Sequence, residues 1–257
     1  MNKTLAATAL FGLLSVTSAQ AATVVGFKVG GDIWNTDASG TFNADSNLGN
    51  ATGPAQNYDY GSETQGSVWV AIEHPIPLVP NLKIRENRLE ASASKDSSDF
   101  YFNEVNFTGA STVYNDLSNT DFVLYYEILD NDLVALDLGA AYKQMHGSLR
   151  VDGLAGSELT RTATQRDIDS GVVMAYGSAQ VGVPGLGLFG FADIMIGVDE
   201  NGVHDYSAGL GWQFDGVALD TLIRVGYRDF NFDVNRFSGT TQDMQFKGAF
   251  AGVELIF

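Results

Sequence analysis

The sequence predicts an all-β chain folded as a transmembrane antiparallel β-barrel of about ten strands, with short periplasmic turns and longer extracellular loops. Three observations predict it. Apolar residues recur with a period of two, not 3.6, over stretches of roughly ten or more residues. That length crosses a bilayer at a tilt and exceeds the ~5–6 residues of an ordinary soluble strand. Tight connectors alternate with polar loops, and the strands between them come to about ten, an even number as single-chain outer-membrane barrels require.

Composition agrees with this class. The chain has 257 residues, of which 45% are hydrophobic and 11% aromatic, with 29 Gly, 5 Pro and no Cys. It is too apolar for a disordered segment, and without cysteine it has no disulfide framework or thiolate metal site. Acidic residues outnumber basic ones 31 to 14, for a formal charge of −17. Phosphate would repel such a chain, so nucleic acid is not an expected partner.

Residues 1–21 read as a cleaved signal peptide, leaving 22–257 as a single barrel domain. Lys3 supplies the positive start, Leu5 to Val16 the apolar stretch, and Ala19-Gln20-Ala21 the small-residue cleavage site. The longest uncharged run, between Asp169 and Asp193, could be mistaken for a membrane helix. Its six glycines and Pro184 suit two strands joined at Val183-Pro184-Gly185 instead.

The expected strands, in order, are 23–34, 64–74, 82–93, 117–129, 133–151, 167–183, 186–198, 203–214, 217–234 and 242–257. In the first, Val25, Phe27, Val29, Gly31 and Ile33 share one face, with Lys28, Gly30, Asp32 and Trp34 opposite. The fourth sets Phe122, Leu124, Tyr126 and Ile128 against Asp121, Tyr125 and Glu127; the fifth sets Val134, Leu136, Leu138 and Tyr142 against Asp137 and Lys143. The seventh sets Leu188, Ala192, Ile194 and Ile196 against Asp193, and the ninth sets Ile223, Val225 and Tyr227 against Asp220, Arg224 and Arg228. The third, 82–93, carries charge on both parities, so a bulge or register change is expected there. Its arginines cannot all face lipid, where each base costs about 2 kcal/mol or more at mid-membrane.

The tight connectors are Pro75 to Asn81, Asp130 to Asp132, Pro184-Gly185 and Asp215-Gly216. The polar loops are Asn35 to Glu63, Ser94 to Asp116, Asp152 to Arg166, Asp199 to Gly202 and Asn235 to Thr241. Four of the five prolines fall in the turns, where no ladder donor is lost. At the carboxyl end, Phe257, Leu255 and Val253 alternate with Glu254 and Gly252. This pattern resembles the assembly signal of outer-membrane barrels and makes the barrel assembly machinery and periplasmic chaperones expected partners.

The segments Lys28-Val29-Gly30-Gly31, Glu73 to Lys83 and Leu124 to Asn131 resemble a family of proteobacterial outer-membrane β-barrel proteins named for a Gly-Gly pair. The resemblance covers most of the mature chain through its barrel layout. It implies a fold and a place, the outer membrane of a Gram-negative bacterium after signal cleavage, and no reaction. Gly30-Gly31 itself reads as a bend or bulge easing barrel curvature.

If the apolar parity faces lipid, Lys28, Asp32, Glu73, Glu127, Asp137, Lys143, Asp193, Asp220, Arg224, Arg228 and Glu254 line the lumen. Mixed signs in one enclosed space suggest a network of ion pairs, because an unpaired buried charge costs several kcal/mol. Trp69, Tyr125, Met174, Tyr176, Phe189 and Phe191 should fill much of what remains. Side chains just fill about eight strands, and open channels need about 16–18, so the interior should be narrow or closed. Trp34, Tyr142, Tyr206, Trp212, Phe214, Tyr227 and Phe257 read as an interfacial girdle.

The loop acids, among them Asp37, Asp45, Asp59, Asp96, Asp99, Glu104, Asp116, Asp199 and Glu200, would attract divalent cations that help bridge to lipopolysaccharide, though no ordered ligand loop is present. Lipid and lipopolysaccharide are the expected surroundings. His74 sits by a turn, while His146 and His204 lie near outer strand ends. Asp205 follows His204 on the opposite face, so the two make a poor dyad. No metal, cofactor or catalytic set is expected. The reading is a non-enzymatic barrel with a structural or surface-interaction role and a largely side-chain-filled lumen. A narrow pore or carrier for small solutes is the alternative, and hydrolysis at the rim by His146 or His204 a more remote one.

Overall fold

The computed structural model describes residues 25–46, 51–76, 78–131, 133–217 and 219–257. The proposed signal peptide, 1–21, lies outside the described residues. The strands are β1 (Gly26–Asn43), β2 (Ala55–Asn57), β3 (Ser62–Glu73), β4 (Asn81–Arg88), β5 (Glu90–Phe102), β6 (Val105–Asp116), β7 (Asn119–Asp130) and β8 (Val134–Met145). They continue with β9 (Gly147–Ala155), β10 (Thr160–Ile168), β11 (Gly171–Gly182), β12 (Leu188–Gly197), β13 (Val203–Phe214), β14 (Asp220–Phe237) and β15 (Thr240–Ile256).

Ten of these strands form a closed antiparallel barrel in the order β1, β3, β4, β7, β8, β11, β12, β13, β14, β15, with β15 pairing back onto β1. The closing ladder runs from Lys28 opposite Ile256 to Phe42 opposite Gln242. At one end lie Val25, Phe257 and the connectors after β3, β7, β11 and β13. At the other, four barrel strands continue into a second sheet, ordered β10-β9-β6-β5. The expected loops 94–116 and 152–166 are therefore corrected: they are the β5–β6 and β9–β10 hairpins. Residues 35–43 likewise prolong β1.

The reason is an exchange of polarity along single strands. In β14, outward Ile223, Val225 and Tyr227 give way to Asp229, Asn231 and Asp233, while inward Arg224 and Arg228 give way to buried Phe230, Phe232 and Val234. In β15 the outward series Val253, Ala251 and Ala249 becomes Lys247, Gln245 and Asp243, and the inward series becomes Phe246 and Met244. From β8 to β9, inward Lys143 is followed by Met145, Leu149 and Val151, and outward Tyr142 by Gln144, His146 and Arg150. The parity holds through the exchange on these strands; the medium on each side changes. Below the exchange the barrel is apolar outside, and above it the lobe has a core. Phe42, Phe100, Phe102 and Phe107 meet there with ring centroids 5.6–5.8 Å apart.

Side chains close the seams between lobe and barrel. Where β3 stops pairing with the β4–β5 chain, Gln65 takes the place of a ladder step: its Nε2 donates to the Glu90 carbonyl at 2.6 Å and its Oε1 accepts the Glu90 N–H at 3.3 Å. The segment between β1 and β3 is tied down by Asp45, which accepts the N–H groups of Ala51 at 2.7 Å and Asn103 at 2.6 Å.

Two local expectations are corrected. β4 keeps an unbroken register with β3 and β7, with no bulge. Lys83, Arg85 and Asn87 point inward. Glu86, Arg88 and Glu90 point outward beside polar His146 and Thr120, at the upper rim and clear of the apolar band. Gly30-Gly31 is also regular strand. Gly30 is there for space: a Cβ would lie 2.4 Å from the Trp69 indole, which packs flat across it.

Candidate functional site

The barrel interior gathers the charged residues into three levels. Alternation puts them there: each strand offers every second side chain to an enclosed space, and a charge in that space needs a partner.

The upper level is completely buried. Lys143 Nζ lies 2.7 Å from Asp121 and 3.6 Å from Asp205, and donates to Asn119 Oδ1 at 2.9 Å. Arg228 grips Asp205 with two bonds, at 2.5 and 2.8 Å, and reaches Asn87 at 2.9 Å. Asn87 in turn donates to Asn119 and Asp121 at 3.0 and 2.9 Å. Trp34 and Phe230 present ring faces to the two cations, 4.7 Å from the Arg228 guanidinium and 5.2 Å from the Lys143 ammonium. Two positive and two negative charges balance, and the amides of Asn87 and Asn119 bridge them.

In the middle level, Arg85 bonds Asp32 and Ser67, both at 3.0 Å. Arg224 pairs with Asp193, which also accepts from Ser178 at 2.7 Å and Ser207 at 3.1 Å. The Arg224 guanidinium lies 3.8 Å from the Phe191 ring centre, and Lys83 lies 4.4 Å from that of Trp69.

The lower level surrounds a cavity of about 280 Å³ that opens toward the turn end. Lys28 and Glu73 pair at 2.6 Å, and the Tyr125 hydroxyl donates to Glu73 at 2.7 Å. Glu127, Asp137 and Glu254 line the same space.

Of the residues expected in the lumen, Lys28, Asp32, Glu73, Lys143, Asp193, Arg224 and Arg228 thus enter ion pairs, and Glu127, Asp137 and Glu254 face the cavity. Asp220 does not join them. It sits at the foot of β14 and accepts the Gly216 N–H at 2.9 Å, because the strand begins there and its side chain serves the turn. The ion-pair partners of Lys143 and Arg228 are Asp121 and Asp205. Those two, with Lys83, Arg85, Asn87 and Asn119, were missing from the expected set. Parity would have found Asp121 and Asp205, since Asp121 shares a face with Tyr125 and Asp205 is the inward neighbour of outward His204; it does not find Lys83, Arg85 and Asn87, whose strand carries charge on both faces.

Trp69, Tyr125, Met174, Tyr176, Phe189 and Phe191 are buried inside the barrel. Of the expected girdle, Tyr142, Tyr206, Trp212, Phe214, Tyr227 and Phe257 are exposed on the outer wall. Trp34 is corrected: at 2% exposure it points inward, and its Nε1 donates to the Gly248 carbonyl at 3.1 Å. Phe257 and Val253 lie on the outer wall, Leu255 shares their parity, and Phe257 meets Phe27 with ring centroids 6.0 Å apart.

The histidines are scattered. His74 is bound into its turn through Pro80 and Ile76, His146 bonds Glu86 at 3.0 Å on the outer wall, and His204 stacks on Tyr206 while Asp205 points inward to Arg228. Among the described residues, no three His, Asp or Glu side chains are placed to share a metal ion.

No family model matches the chain, and no curated protein matches it. Solved structures that it resembles include the attachment invasion locus protein Ail of Yersinia pestis, in complex with the heparin analogue sucrose octasulfate. That match has 10% identity and a TM-score of 0.32 and covers 91% of this chain and 99% of that one. Neisserial surface protein A follows, with 13% identity, TM-score 0.30 and coverage of 89% and 95%. A FadL homologue of Pseudomonas aeruginosa has 9% identity, TM-score 0.33 and coverage of 91% and 90%. At such TM-scores these likenesses add nothing to the strand register described above, on which the fold rests.

Proposed function

We propose that this protein is an integral outer-membrane barrel that conducts no solute, performs no catalysis, and holds a folded β-lobe at the cell surface. The observation that carries the reading is the interior at the height of Lys143. A fully buried, charge-balanced layer crosses the barrel there, and above it lies a packed aromatic core. A solute would have to break paired buried charges and then cross that core, each step costing several kcal/mol.

Membrane insertion is supported by the lower outer wall, where Ile33, Val68, Leu124, Leu138, Ile194, Leu210, Val225 and Val253 are all exposed. A water-soluble surface does not carry so continuous an apolar band. The short connectors, the start of β1 and the end of β15 then face the periplasm, the lobe faces outward, and the resemblance to the family named for a Gly-Gly pair points to the same membrane. Lipid, lipopolysaccharide, divalent ions at the acidic rim, and the assembly machinery are the partners this location supplies. Single-channel recording on refolded protein tests the reading: a silent bilayer is expected, and stable ion-selective steps would favour a narrow pore instead.

A further inference from the structure

The cavity at the turn end has an unbalanced lining. Six carboxylates face it: Glu73, Glu127, Asp130, Asp137, Asp193 and Glu254. Against them stand Lys28, Lys83 and Arg224, of which Lys28 and Arg224 are already paired with Glu73 and Asp193. Glu254 projects from β15 between the levels of Lys28 and Arg224 and has neither a hydrogen bond nor an ion pair among the described residues. The barrel wall encloses it on every side but the cavity. Asp137, across on β8, is likewise without an ion-pair partner. The inner end is blind, closed by Arg224 with Asp193 and by Arg85 with Asp32. A net negative, blind chamber within a low-dielectric wall concentrates cations, because little solvent screens the field laterally.

The chemistry selects among cations. Among the described residues no three carboxylates converge on one point, so a single metal ion finds no ligand set. The acids are instead spread over the height and breadth of the cavity. Between them stand Tyr125 and Tyr176, with ring centroids 5.9 Å apart. Separated anionic points joined by aromatic surface suit a flexible aliphatic chain bearing several ammonium groups. Its methylenes would lie on the rings, and its charges would reach Glu254, Asp137 and Glu127 in turn. A volume of about 280 Å³ suits a small molecule and is too little for a folded segment. We propose that this vestibule binds a linear aliphatic polyamine entering from the turn end.

The test is titration calorimetry of spermidine into the full refolded chain, in a micelle of neutral detergent at physiological salt. Saturable one-to-one binding is expected. Glu254→Gln and Asp137→Asn should each weaken it roughly tenfold, the effect of losing one charge-assisted contact. Glu104→Gln, which removes an equal charge at the opposite end, should leave it unchanged, and equimolar magnesium should not displace the ligand. Glu254→Gln breaks no hydrogen bond or ion pair among the described residues, and native-like migration on unheated gels will report that each variant is folded. Absence of saturable binding, equal weakening by Glu104→Gln, or displacement by magnesium would overturn the proposal. The measurement is independent of membrane orientation and conductance, so its failure would leave the non-conducting scaffold reading standing.

Discussion

Asp45 and Arg166, 121 positions apart, meet end-on in a two-bond pair, Nη1 to Oδ1 at 3.1 Å and Nη2 to Oδ2 at 3.0 Å. Both are buried, Asp45 more completely, with side-chain exposures of 3% and 10%. The same carboxylate holds two backbone N–H groups from different segments, so one side chain joins the β1–β3 connection, the β5–β6 turn and β10. Burial alone would raise its pKa; the Arg166 bonds and the two N–H groups outweigh it and hold the carboxyl below the usual aspartate range. A depressed folded-state pKa contributes stability above the unfolded value, and that contribution is lost as pH falls through the folded one. The lobe should therefore stay ordered from neutral pH down to about 4, the ordinary aspartate value, and loosen below it. Asp45→Asn should remove about 1.5–3 kcal/mol of local stability at neutral pH. Hydrogen exchange over residues 51–61 and 98–107 will read both effects, and protection unchanged between pH 7 and 3 would refute this role for Asp45.

Gly30 and Trp69 form a second specific pair. Because a Cβ at position 30 would stand 2.4 Å from the indole carbons, Gly30→Ala has to displace a large ring that also faces the Lys83 ammonium. Overpacking of this kind costs roughly 1–3 kcal/mol. Gly30→Ala should lower the urea midpoint of the barrel in detergent micelles, and Trp69→Leu in the same chain should restore part of the loss. A bend or bulge at Gly30 would predict no such rescue.

The layer around Lys143 makes a different prediction. Lys143→Met strands Asp121 in a site with no solvent exposure and leaves Asp205 with Arg228 alone. Breaking one side of a buried pair costs roughly 3–5 kcal/mol, whereas replacing both partners by apolar groups is often near neutral. Lys143→Met should thus destabilise strongly, and Lys143→Met with Asp121→Leu much less. Neither should conduct, because the aromatic core above the layer remains. Conductance in the double variant would show that the ion layer alone seals the barrel.

The barrel was legible because its lower half obeys one rule throughout: a lipid-facing parity must be apolar, and Phe122, Leu124 and Tyr126 or Ile223, Val225 and Tyr227 make that plain. The lobe was not, because above Tyr227 the rule reverses while the strand runs on. Asp229, Asn231 and Asp233 read as loop polarity when only the outward series is followed, although Phe230, Phe232 and Val234 carry the compensating signal. The 18 residues of β14, at ~3.3 Å each, span roughly 60 Å, well beyond the ~10 residues that a membrane demands. The interior was half legible. Parity identified which residues point inward, yet the choice among inward partners depends on strand neighbours far apart in sequence, such as β4 beside β7, and on height along the barrel. Alternation thus puts Lys143 and Asp121 inside the barrel without revealing that they pair.

The exchange of polarity also predicts where the membrane ends, to within two residues on several strands. With no native cysteine, single substitutions can be probed without background. Outward positions above the exchange, Asp229→Cys, Asp243→Cys and Arg150→Cys, should react on intact cells with a membrane-impermeant maleimide. Outward positions below it, Val225→Cys, Leu210→Cys and Val253→Cys, should stay unlabelled until the envelope is dissolved, since a thiolate does not form in hydrocarbon. Tyr227 and Ala249 lie between the two sets, opposite each other across the β14–β15 ladder, and should label at intermediate rates. A uniform rate along β14 would mean that one medium bathes the whole outer wall, and Val225 would then have no reason to differ from Asp229.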